Sequence, residues 1–348
     1  MNDDAETIHQ FFAEYDPAAD VTRNVEKLRA SMDLITELAP QPPARRRIAA
    51  TVSRRRLILG GVVSLSAGTA AILGSEAVPH LGTPTMQPFT ATPQLLSFRG
   101  GGQALSAREI LTKAAASAER QPDLTGTGRY QYVETEGWYL DTTMSTKGAG
   151  SAVIPVLRRQ WMAGDGSGRI VTRPGKPYFP LEASRLAWQS AGAGRPRPTD
   201  QTFGRGELQF MWRPGSLSSD PVVLRRQLEV GHAASLGPAE TMVAVSDLYN
   251  EQAVGPAIRA AVMRLVSTLP GLRFDGTTTD RAGRRGIGVS IESDLSGLPT
   301  RYILIFDPDT GQLLDSEQVL TVSAGKLDVP IPSVIAYTVY LAAYRTER

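Results

Sequence analysis

The chain has 348 residues, with 37 Lys and Arg against 35 Asp and Glu, three His and no Cys, for a formal net charge of +2. A balance this close to neutral excludes a nucleic-acid binder that works through bulk positive charge. The absence of Cys excludes disulfides, thiolate nucleophiles, Cys-ligated zinc, iron–sulfur clusters and lipidation of an N-terminal Cys.

Residues 1–40 are acidic, with nine Asp and Glu against three basic side chains. Glu6 to Tyr15 places Ile8, Phe11 and Phe12 at helical spacing, and Asp16-Pro17 ends that segment. A second helix is expected from Asp20, an N-cap, to about Leu38. Its apolar residues Val25, Leu28, Met32, Ile35 and Leu38 fall at steps of three and four and make one stripe. Two helices this short cannot bury their stripes against each other alone, so the stripe is a candidate site for a cytoplasmic partner protein. The competing reading is a leader that only tethers.

Pro40, Pro42 and Pro43 then space the tail from two basic blocks, Arg45, Arg46, Arg47 and Arg54, Arg55, Arg56. Leu57 to Leu73 follows with no charged side chain in 17 positions. At ~1.5 Å per residue this gives roughly 25 Å of helix, at the short end for a membrane span, and Gly74 and Ser75 extend it. Arg-rich flanks resist translocation, so the six arginines set the orientation, with the N-terminus cytoplasmic and the C-terminal part outside. They suit anionic lipid headgroups better than nucleic acid. Two readings compete for the apolar segment: a retained transmembrane helix, or an export signal. Ser53-Arg54-Arg55-Arg56-Leu57-Ile58-Leu59 resembles a twin-arginine signal, and Ser75-Glu76-Ala77 would be its cleavage site. The long patterned chain ahead of the segment favours the retained helix.

Four prolines and the Gly100-Gly101-Gly102 run make residues 76–105 an expected solvated linker. A folded body over 106–348 opens with a capping box, Ser106 to Glu109, leading into a helix over Ala107–Glu119. Gly128 to Leu140 alternates as a strand, with Tyr130, Tyr132, Glu134, Glu136 and Trp138 on one face and Val133 and Tyr139 on the other. Strands are expected at 153–162 and 169–173 around the turn 164–168, with a poorly ordered loop near 191–202. Asp220-Pro221 starts a helix over 222–229, a stretch that Gly231 and Gly237-Pro238 close. A further helix covers 256–269 up to Pro270-Gly271. A meander follows at 272–275, 286–292, 301–306, 312–322 and 333–344, with a tight hairpin turn at Asp307-Pro308-Asp309-Thr310-Gly311.

The apolar span with its basic flank, GRYQYVETEGWYL, RQWMAGDGSGRI, LPGLRFDGTTTDRAGRRGIGV and ILIFDPDTGQLLDSEQV together resemble an uncharacterised family of single-pass actinobacterial membrane proteins. Such proteins are often encoded beside extracytoplasmic-function sigma factors. The resemblance covers nearly the whole chain, most specifically 265–320. It implies a sigma factor as the cytoplasmic partner and brings no catalytic residues with it. The exported part is similar in element order to lipoprotein-carrier and sigma-regulator periplasmic domains, which implies a curved antiparallel sheet with helices packed on one face.

Candidate chemistry is sparse. His9, His80 and His232 stand one per region, which leaves no His cluster for a metal or a triad. His232, beside Gly231 near an expected helix end, reads as a charge at the helix C-terminus or a solvated side chain rather than a base. The turns at 164–168 and 307–311 lack the Lys and helix of a phosphate loop and the closing Glu of a calcium loop. No cofactor is expected. Tyr130, Tyr132, Trp138 and Trp161, with Trp188, are candidates to line a cleft for an apolar ligand outside the cell, although such residues are commonly core. Glu134 and Glu136 lie about 7 Å apart on one strand face, a spacing that hydrolytic carboxylate pairs also use.

The expected fold class is therefore α+β. It comprises short cytoplasmic helices (1–40), a Pro/Arg-rich juxtamembrane segment (41–56), one transmembrane helix (57–75), a linker (76–105) and an exported domain. The leading functional expectation is a non-enzymatic membrane protein that senses outside and regulates a sigma factor or other protein inside. An exported binder of lipid or another apolar ligand, and an exported carboxylate hydrolase, are the alternatives.

Overall fold

The computed structural model describes residues 92–100, 106–145, 148–179, 181–192, 196–325, 327 and 329–347. The expected tail helices, the stripe from Val25 to Leu38, both Arg blocks and the apolar segment 57–75 lie outside these residues. Among the described residues no helix is long and apolar enough to cross a membrane.

The fold is α+β, as expected. Ten antiparallel strands form one sheet: β1 (Arg99–Gly100), β2 (Tyr130–Ser145), β3 (Gly148–Ala163), β4 (Gly168–Pro174), β5 (Thr199–Phe203), β6 (Arg273–Thr279), β7 (Arg285–Ser293), β8 (Thr300–Phe306), β9 (Leu313–Leu320) and β10 (Ser333–Thr346). Their order is β1-β6-β7-β8-β9-β10-β2-β3-β4-β5. The C-terminal meander thus forms one half and the aromatic hairpin the other, joined where β10 pairs with β2. Five α-helices are described: α1 (Ala107–Glu119), α2 (Glu182–Ser190), α3 (Pro221–Leu228), α4 (Pro238–Glu251) and α5 (Pro256–Val266).

Local chemistry explains the starts of these elements. Ser106 Oγ accepts from the Glu109 amide while the Glu109 carboxylate accepts from the Ser106 amide, which completes the capping box of α1. Asp220 caps α3 through the amides of Val222 and Val223, with Pro221 at the first helical position. The Asp307 side chain accepts from the amides of Asp309 and Thr310, and Gly311 closes the hairpin at φ 66°.

Strand alternation then sorts side chains onto two faces. On the first face, Ile287, Val289 and Ile291 of β7 and Tyr302, Leu304 and Phe306 of β8 pack with α1, α3, α4 and α5 in the main core. On the same face Trp188 of α2 packs with Ala152, Ile154 and Val156 of β3. The second face carries Ile303, Ile305, Val319, Val334, Tyr337 and Val339 in a smaller core, closed by half-buried Leu96 and Phe98.

Three expectations change here. Residues 92–100 are not a solvated tether: Leu96 and Phe98 bury against the second face, and β1 adds to the sheet edge beside β6. Gly237-Pro238 opens a 14-residue helix rather than closing a stretch, because Pro has no amide to lose at a first helical turn. The C-terminal end of the expected loop near 191–202 pairs with β4 as strand β5.

Candidate functional site

Two clusters of ionisable side chains lie inside the described fold, one against each face of the sheet. The first is built around α4, which carries Glu240, Asp247 and Glu251 at helical spacing. His232, expected in solvent, is buried at 7 % exposure between two of them. Its Nδ1 lies 2.9 Å from Glu240 Oε1 and its Nε2 3.4 Å from Asp247 Oδ2. The Trp212 ring stacks on the imidazole, with centroids 5.7 Å apart and planes 15° from parallel. Glu251 accepts from the amides of Met211 (2.9 Å) and Trp212 (3.4 Å), and Gln160 of β3 donates to the Asn250 and Glu251 carbonyls. Arg158 donates to Gln160 Oε1 at 2.9 Å and adds a positive charge beneath α4. Burial lifts the Asp247 carboxyl to about 6 and Glu251 to about 7, only partly offset by His232 for the first and by the two amides for the second.

The second cluster lies under the 92–100 segment. Asp315 and Glu317 are neighbours on the second face of β9, at 0 % and 3 % exposure. Arg281, from the turn between β6 and β7, donates through Nε to Glu317 Oε1 at 2.7 Å. Its backbone amide reaches Asp315 Oδ2 at 3.4 Å, and its Nη2 donates to the Gln94 carbonyl at 2.9 Å. The guanidinium stands 4.4 Å from the Tyr337 ring centroid. In the same turn Asp280 is satisfied by the Ala282 and Arg284 amides and by the Arg284 guanidinium. Arg284 also donates to the carbonyls of Leu314 and Tyr340. Asp315 Oδ1 and Glu317 Oε2 are buried and meet no donor among the described residues. Burial raises both carboxyls; for Asp315 the Glu317 charge adds to it, while Arg281 opposes it.

Of the aromatic side chains singled out from the sequence, Tyr130, Tyr132, Trp138 and Trp161 lie on the second face but line no single cleft. Tyr132 packs between Trp161 (centroids 5.0 Å apart) and Tyr344 (4.8 Å), whereas Trp138 stacks on Tyr337 at 6.2 Å. The Tyr130 ring lies 4.8 Å beneath the Arg129 guanidinium. Trp188 belongs to the helix-covered face, donating to Asp141 at 3.2 Å. Glu134 is held by Arg159 (2.8 Å) and the Tyr132 hydroxyl (2.7 Å), and Glu136 is exposed.

Spacing does mark both missed clusters. Glu240 and Asp247 stand seven apart on a helix that begins at Pro238, and Asp315 and Glu317 stand two apart on a strand. Neither pattern says that its face is buried. Among the described residues no group of three or more His, Cys, Asp or Glu is arranged to hold a metal. The chain matches no protein-family model and no curated protein sequence.

Proposed function

We propose that the protein is a single-pass membrane sensor whose exported α+β domain reports to a cytoplasmic partner, a sigma factor being the leading candidate. The observation that carries this reading is the structure of residues 92–100. The chain that follows the apolar segment enters the folded body as a strap, tied by Arg281 to buried carboxylates and by Phe98 to the second core. A state of the domain that loosens the strap changes the chain leading to the membrane, which is what a transmembrane reporter requires. The Arg blocks and the apolar segment of the sequence support the orientation, and the helical spacing of Val25, Leu28, Met32, Ile35 and Leu38 in the sequence supports a partner-binding tail. The aromatic side chains proposed for an apolar guest pack in separate pairs, Tyr132 with Trp161 and Trp138 with Tyr337, which argues against a shared cleft.

The test is to express the chain in an actinobacterial cell with different tags at its two ends, then fractionate and blot for both. One full-length membrane band carrying both tags is the expected result. A released C-terminal fragment beginning near Val78 would overturn the reading in favour of a cleaved export signal. With the span retained, a tagged tail should capture a cytoplasmic protein, and the double change Leu28→Asp, Ile35→Asp should abolish that capture.

A further inference from the structure

We propose that Asp315, Glu317 and Arg281 form a proton-operated latch on the 92–100 strap, closed while one of the two carboxyls carries a proton and open once both are ionised. The inference deepens the sensor reading and rests on it for its biological meaning, though the latch itself can be measured without it.

The buried cluster holds three carboxyl groups (Asp280, Asp315, Glu317) and two guanidinium groups (Arg281, Arg284). Asp280 is paired through both oxygens, and Glu317 has its Arg281 bond. Asp315 has one long amide contact and an oxygen that meets no donor. With all five groups charged, one negative charge is left uncompensated beside Asp315, which is fully buried, and an uncompensated buried charge is costly. A proton on Asp315, or shared with Glu317, removes that charge.

The neighbouring elements offer no other compensation. From β10 the site meets Tyr337, with Glu136 of β2 beyond it. From β8 it meets Ile303 and Ile305, while Arg301 on that strand is engaged with Glu292. The strap from Thr92 to Phe98 brings no ionisable side chain, and Arg99 lies exposed at its end.

The strap is the part that can yield. Its ties are the Arg281 bond to the Gln94 carbonyl, the Thr278 and Thr277 hydroxyl bonds to the Ser97 and Arg99 carbonyls, the Thr92 hydroxyl bond to Ser333, the two-residue pairing of β1 with β6, and half-buried Leu96 and Phe98. Few buried contacts and a short ladder place it at the low end of local stability. The sign follows from the raised carboxyls: the folded state keeps a proton that an opened, solvated site gives up. Closing is therefore favoured at low pH and weakens as pH rises above the ordinary carboxylate range.

The experiment is hydrogen exchange on the full-length chain in detergent from pH 5.5 to 8.5, corrected for intrinsic rates. It compares a peptide spanning the strap with one from α4, where Asp247 and Glu251 also titrate. Strap protection should fall by about tenfold across the range, with one proton limiting the slope to at most about tenfold per pH unit. Asp315→Asn should keep the strap protected at pH 8.5. If that variant does not fold, Glu317→Gln serves the same purpose, because removing the neighbouring charge should shrink the slope. Strap protection independent of pH in the wild type, or a slope unchanged in these variants, would overturn the latch. Tag fractionation is scored separately, so a cleaved chain with a working latch, or a retained span with a pH-independent strap, tells the two proposals apart.

Discussion

At the scale of single residues, the buried acids under α4 set a pH dependence of their own. Glu251 binds a proton in the folded state up to about 7, whereas its ordinary value is 4.5. The unfolded chain sheds that proton earlier, so stability falls as pH rises through this window. Glu251→Gln keeps a carbonyl oxygen for the Met211 amide and cannot ionise. The variant should match the parent near pH 4.5 and exceed it by about 2–3 kcal/mol at pH 8, read from thermal or urea denaturation at both values. Parallel stability profiles for the two proteins would show that Glu251 ionises without cost. His232 belongs to the same network. One neighbouring glycine in sequence suggested an exposed loop, but the ring is sandwiched between Trp212 and two acids that only the folded chain brings near.

At the scale of elements, β7 shows how alternation serves two cores at once. Ile287, Val289 and Ile291 fill the helix-covered face, while Gly286, Gly288 and Ser290 face the other way. A Cβ at Gly288 would lie 2.3 Å from Phe98, so glycine there makes the space into which the strap docks. Gly288→Ala should cost about 1–3 kcal/mol by forcing Phe98 out, and should raise hydrogen exchange in the strap with little change in α1 or α5. Unchanged strap protection would show that Phe98 repacks elsewhere. The helices divide in legibility on similar grounds. α1 and α3 announce themselves through Ser106, Glu109, Asp220 and Pro221, whose side chains act within one turn of chain. The start of α4 does not, because Gly-Pro ends one element as readily as it begins another.

At the scale of the molecule, the strap decides where the folded body begins. A chain starting at residue 106, the boundary that composition suggests, would lose Leu96 and Phe98 from the second-face core and the Gln94 carbonyl from Arg281. It should be less stable than a chain starting at residue 91 by about 2–4 kcal/mol, as expected for two half-buried large side chains and a short strand pairing. Denaturation of the two truncated chains checks this, and equal stability would make the strap an ornament on the fold rather than part of it.

By itself the sequence determined what is local or periodic. Period-two alternation marked β2, short-range hydrogen bonding marked the caps and the hairpin turn at Asp307, and the sign and position of charge marked the Arg blocks beside the apolar segment. Tertiary structure decided what depends on residues far apart in the chain. Arg281 and Gln94, His232 and Asp247, and Phe98 and Gly288 are brought together by sheet order and helix packing, and no local pattern encodes their distance. Thr92 to Arg99 is the clearest case. Pro, Thr and Gln make it read as solvated, and it packs because one glycine of a strand nearly two hundred residues later, Gly288, leaves room for the Phe98 ring.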